Sequence, residues 1–274
     1  MKKELQNSQK LKEKALNVSI KEGTAASLAL NLGDGYVVPF ALALNATSTQ
    51  VGILSSFSLF LYQLSQLFGA KTMERYSRKK IVASLVFLQA LSWLFVAAIA
   101  FLVWKNLFDG YSIWLLIIFY SLLMVFGGIS HPAWFSWMGD LVPKEKRGAY
   151  FGKRNRIASS IGIVAALLAA FFLDYFKTKG YVLLAFSILF ALAALFKFIS
   201  FTLLQKQYAP AYKQKKKDYF SFLSFVKRYD NFGKFAVYQG FFNFAVMVAS
   251  PFFTVYMLRE LKFIYTIFMI TLVS

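Results

Sequence analysis

Between Ile81 and Trp104 the chain runs 24 residues, IVASLVFLQALSWLFVAAIAFLVW, without a charged side chain. As a helix this stretch rises about 36 Å, enough to cross a hydrocarbon core of roughly 30 Å. Comparable runs predict seven spans at about 24–45, 50–70, 81–104, 112–138, 157–174, 181–204 and 235–258, and the start of an eighth at 264–274. No run alternates apolar and polar positions with the period of two that barrel strands require. The expectation is an all-α polytopic membrane protein. It divides into a cytoplasmic N-terminal tail (1–23), a six-helix transmembrane bundle (24–204), a basic cytoplasmic linker (205–234) and the start of a second bundle (235–274).

The polar positions between the spans fix an orientation. Of 31 Lys and Arg, 25 fall in the N-terminal tail, the second-to-third loop, the fourth-to-fifth loop and the sixth-to-seventh segment. The intervening loops are nearly neutral. This alternation predicts that the tail and Lys153 are cytoplasmic and Lys177 external, facing an anionic inner leaflet of the plasma membrane. The net charge of +19 is thereby spread over alternate loops rather than gathered on one surface, which argues against nucleic-acid binding. Trp104 and Trp114 on one side and Trp137 on the other are expected as interfacial anchors. Lys197, inside the sixth span, is expected to snorkel to the inner surface. In the linker, Phe222, Phe225, Val226 and Tyr229 recur at helical spacing beside Lys227 and Arg228, and predict a helix lying on the inner leaflet.

Composition removes several chemistries. The chain is 58% hydrophobic and 16% charged, has no cysteine and has one histidine, His131. Disulfides, thiolate catalysis and a Cys- or His-rich metal centre are not expected, and no GxxxxGK[ST] phosphate loop occurs. No cofactor is expected, and an enzyme embedded in the membrane is disfavoured for want of a catalytic constellation.

Two spans resemble each other. NLGDGYVVPF places Asn31 eight residues before Pro39-Phe40, and NFAVMVASPF places Asn243 eight residues before Pro251-Phe252. A transporter built from two parallel six-helix repeats has this relation between its first and seventh spans. The second-to-third loop, AKTMERYSRKKI, resembles the signature loop of the Major Facilitator Superfamily. Glu74 stands at its acidic position, followed by Arg75, Tyr76, Arg78, Lys79 and Lys80; Ala70, Thr72 and Ser77 depart from the pattern. SHPAWFSWMGDLVPKEKRGAYFGKRN resembles the fourth-to-fifth loop of prokaryotic members, with Asp140, Pro143, Arg147-Gly148 and Phe151-Gly152. The fourth span carries no arginine and the fifth lacks a Gly-Pro motif, so neither proton coupling nor drug export is inherited. The resemblance implies an inner-gate network of Glu74, Arg75, Arg78, Asp140 and Arg147, with Arg78 pairing with Asp140 in the outward-facing state. It also implies that the eleven residues of the eighth span begin a second bundle, as in a truncated chain.

Asp34 is the one acidic residue well inside a predicted span, where an unpaired carboxylate costs several kcal/mol. Gly33, Gly35 and Pro39 surround it, so a local break in the helix is expected, with Asn31 on much the same face. Asn31, Asp34, His131, Trp134 and Asn243 are the candidates to contact a substrate or coupling ion. The reading that results is a secondary transporter of a small solute working by alternating access. The alternative is a subunit that does not transport and assembles with a missing second half or another copy of the chain.

Overall fold

The computed structural model describes residues 2–107, 110–210 and 230–273; the expected surface helix of the linker lies outside them. Every described element is helical, and seven helices are long and apolar enough to cross a membrane. The first span is α1 (Lys2–Leu32) followed by α2 (Asp34–Ala43). The second to sixth are α3 (Ser48–Thr72), α4 (Arg78–Trp104), α5 (Ser112–Leu141), α6 (Arg147–Thr178) and α7 (Val182–Lys206). The seventh is α8 (Asn231–Val255), continued by a π-helical turn at Tyr256–Glu260, and α9 (Tyr265–Val273) starts the eighth.

Local chemistry sets the ends. Thr47 and Gln50 form a reciprocal capping box at α3, and Ser77 and Asp230 cap α4 and α8 through the backbone N–H groups of Lys80 and Gly233. Asn45, Asn106 and Lys262 take left-handed φ values of 62°, 55° and 52° in three of the connections. These turns and the one at Gly180 share one side of the protein, the neutral side. Residues 73–77 and 142–146 lie on the other, basic side.

The helices pack in pairs: α4 on α7, α3 on α5, α4 on α5, and α1 on both α6 and α7. Small residues permit the approach. A Cβ at Gly128 of α5 would overlap Ser65 and the carbonyl of Tyr62 on α3, so no larger residue fits that crossing. One buried cluster, around Phe40, Trp93, Phe186 and Phe190, fills the neutral half of the bundle; a second, around Trp137, Met138 and Leu204, fills the basic half. Phe60, Phe95, Phe171 and Leu168 lie outside these cores, exposed on the helix surfaces.

The N-terminal segment is helical from Lys2 and continuous with the first span, and Ala15, Ser19 and Glu22 are buried. Two expectations need correction. Trp137 is fully buried and donates its indole N–H to the carbonyl of Tyr208 at 3.1 Å, pinning the chain after α7 rather than anchoring in lipid. Lys197 turns inward instead of snorkelling, with its ammonium donating to Gln89 Oε1 at 2.6 Å.

Candidate functional site

The first span breaks at Gly33, as its glycines suggested. Gly33 has non-helical angles (φ −102°, ψ −80°). A Cβ there would run into the Trp93 ring of α4, so the break is held by a close contact that only glycine allows. Asp34 is the first residue beyond the break and opens α2. Its carboxylate accepts a hydrogen bond from Tyr120 of α5 at 3.3 Å, and it feels the charge of Lys197 on α7.

Asp34 lines a cavity of about 240 Å³. The walls are Val37 and Val38 of α2, Leu54, Ser55 and Leu59 of α3, Tyr120 and Met124 of α5, and Ser250, Pro251 and Thr254 of α8. The first and seventh spans thus both contribute. The Ser55 hydroxyl, in this cavity wall, is buried with no hydrogen-bond partner among the described residues. Buried polar atoms are normally satisfied, so this hydroxyl is open to a polar group in the cavity. A second cavity of about 430 Å³, lined by Asn243, Gly240 and Phe244 of α8 and Ser56, Phe60 and Gln63 of α3, meets the first at Leu59. Asn243, Ser250 and Thr254 recur at i, i+7 and i+11, giving α8 one polar stripe along both cavities.

The other candidates lie elsewhere. Asn31 donates to the carbonyl of Ser27 at 2.9 Å and packs against Gly162 of α6, so it addresses a different helix from Asp34. His131 is exposed on α5, edge-on to Phe135 and tilted to Tyr62, away from the Asp34 cavity. Trp134 lies under the guanidinium of Arg154, 4.8 Å from its ring centroid.

That arginine belongs to a buried network that the sequence reading missed. Arg154 of α6 pairs with Glu22 of α1 at 3.0 Å and donates to the carbonyl of Ser19; Ser200 of α7 donates to the other oxygen of Glu22 at 2.9 Å. Lys197 stands one turn before Ser200 on α7 and donates to Gln89 of α4.

At the basic side two arginines grip the end of α5. Arg78, nearly buried, meets Asp140 at 2.7 Å and donates to the carbonyl of Ser136 at 2.8 Å. Arg147 donates to the carbonyl of Gly139 at 2.6 Å. Cations at a helix C-terminus answer its unpaired carbonyls and its dipole. Both Arg78 and Asp140 belong to the first bundle, so rocking one bundle against another does not by itself part them. Glu74 and Arg75 are exposed in the turn before α4 and take no part in this grip.

Comparison with protein families adds the deciding observation: the model of the Major Facilitator Superfamily matches residues 24–274. The chain belongs to the Major Facilitator Superfamily. It is a multi-pass membrane protein of a transporter family, and the members of that family are not enzymes. Comparison with curated proteins and with solved structures finds no match.

Proposed function

We propose that this Major Facilitator protein is a secondary transporter that moves a small solute by alternating access, with Asp34 as the charged contact of the site. The observation that carries the reading is the placement of that carboxylate. It sits at a helix break, in a cavity walled by the first and seventh spans and supplied with the hydroxyls of Tyr120, Ser55, Ser250 and Thr254. The cavity, at about 240 Å³, falls just under the roughly 300 Å³ at which drug-sized pockets begin, and its remaining wall is aliphatic. A small solute with a cationic or hydrogen-donating head and an apolar body fits that chemistry. Arg78, Asp140 and Arg147 brace the basic end of α5, and so fix the helix that carries Tyr120. Asn243 stands further along the same path, whereas Asn31, His131 and Trp134 lie outside this proposal.

The experiment is a solute screen on purified protein by thermal unfolding. A ligand that binds only the folded state at 100 times its Kd adds about 2.7 kcal/mol of stability. Solutes that raise the Tm of the parent but not of Asp34→Asn support the reading; solutes that stabilise both equally remove Asp34 from the site.

The basic side is proposed to be cytoplasmic, in the plasma membrane. The cysteine-free chain allows single-cysteine reporters at Lys153 and Lys179, both exposed. Lys179 replaces Lys177 because Lys177 lies over the Tyr265 ring. In intact cells a membrane-impermeant maleimide is expected to label Lys179→Cys and to spare Lys153→Cys. The reverse pattern inverts the topology.

A further inference from the structure

Asp174, near the neutral-side end of α6, makes three hydrogen bonds that neither the sequence reading nor the Asp34 site uses. It accepts from the backbone N–H of Tyr265 and of Thr266, each at 2.8 Å, and from the Thr266 hydroxyl at 2.6 Å. These donors are the first turn of α9. The residues leading into that helix are Leu261, Lys262, Phe263 and Ile264, so its N-cap position offers no side-chain acceptor of its own. Its unsatisfied N–H groups and the positive end of its dipole are instead answered by a carboxylate on a helix of the first bundle.

Two further contacts join the same parts on the same side. Lys177, one turn after Asp174, lies over the Tyr265 ring at 5.3 Å. Arg259, in the π-helical turn, donates to the carbonyl of Ala46 in the first-to-second connection. The hydrogen bonds of Asp174 to Tyr265 and Thr266 and of Arg259 to Ala46 thus join the first six spans to the later helices on one side, the neutral one. The docking also reaches the first span next to the site: Met269 of α9 lies beside Gly35, the residue after Asp34, and belongs to the buried cluster around Phe40.

We propose that Asp174 is a positioning residue that latches the first turn of α9 to the first bundle and thereby closes the Asp34 cavity on the neutral side. The cap is provided across the interface, so opening that side separates the carboxylate from three donors at once. A cap within α9 would survive the same movement and could not hold the two parts together. Closure is therefore built into the end of α9, and it is released only when water or another acceptor replaces Asp174. This inference rests on alternating access at the Asp34 cavity.

The test reads sidedness and needs no known substrate. A Ser250→Cys reporter places a thiol in the cavity wall at an exposed position, and a membrane-impermeant maleimide is applied to right-side-out and inside-out vesicles. In the otherwise unchanged chain, labelling is expected from the basic side and to be slow from the neutral side. Loss of a charge-assisted hydrogen bond shifts an equilibrium by about tenfold or more, so Asp174→Ala is expected to raise labelling from the neutral side by about tenfold. Asp174→Asn keeps one acceptor and should fall between; Thr266→Val removes only the hydroxyl donor and should have the smallest effect. If Asp174→Ala does not fold, the other two variants carry the comparison. Neutral-side labelling at the parental rate in all folded variants overturns the latch, as does a parent labelled equally from both sides. An Asp34→Asn variant that still transports sinks the site reading instead and leaves the labelling result standing.

Discussion

Asp34→Asn is expected to abolish accumulation of the transported solute while leaving membrane insertion intact. The substitution keeps the shape of the side chain and an oxygen for the Tyr120 hydroxyl, 3.3 Å away in the parent, and removes only the negative charge. A charge-assisted hydrogen bond contributes about 1.5–3 kcal/mol, or roughly 10- to 150-fold in affinity. If Asp34 holds a cationic solute, both accumulation and counterflow exchange should fall by that order. If it carries the coupling proton, accumulation should vanish and exchange at equal concentrations should persist. Parental accumulation by Asp34→Asn across the pH range leaves the carboxylate a structural role beside Gly33 and Trp93. Reconstituted vesicles with an imposed gradient, loaded with a solute found by thermal shift, give the measurement.

The spans were legible because lipid imposes a one-residue rule that needs no knowledge of the fold. A charge inside the hydrocarbon layer is costly, so uncharged runs such as Ile81–Trp104 declare themselves. The break at Gly33 was legible for a similarly local reason, since two glycines and a proline lie within seven residues. The Arg78–Asp140 contact was not local, and only the family resemblance implied it. The structure forms that contact and explains it by the end of α5, where Arg78 and Arg147 answer exposed carbonyls.

The buried charged contacts were hidden because their meaning lies in a partner far along the chain. Glu22 sits in the polar stretch SIKEGT and reads as part of a solvated tail until α6 brings Arg154 against it, 132 residues later. Arg154 reads as one of six cations in a basic loop, and topology alone accounts for such a loop. Lys197 could reach the membrane surface by length, but it turns inward and donates to Gln89 of a neighbouring helix. A count of charges by loop treats all of these alike. The positive-inside pattern thus names the side of the membrane on which a cation stands, not whether it faces water or an acid.

The Glu22–Arg154 pair gives the largest expected effect on stability. Glu22 is 6% and Arg154 12% exposed, so removing one partner strands the other in a poorly solvated place. Breaking such a buried pair costs about 3–5 kcal/mol, whereas replacing both partners with apolar residues of similar size is often close to neutral. Arg154→Met is therefore expected to lower the Tm of the detergent-solubilised protein by about 10 °C, taking roughly 2–4 °C per kcal/mol for a chain of this size. Glu22→Leu alone should cost a similar amount, because Arg154 would keep the carbonyl of Ser19 but lose its counter-charge. The double variant Glu22→Leu/Arg154→Met should recover a large part of that loss. Recovery will fall short of complete, since the Ser200 hydroxyl loses its acceptor. Two single variants whose effects simply add in the double would mean that the residues act independently. In that case the pair does not tie α1 to α6, and the part of α1 around Ala15 and Ser19 is held by its packing and by the hydrogen bond from the Tyr150 hydroxyl to the carbonyl of Leu16.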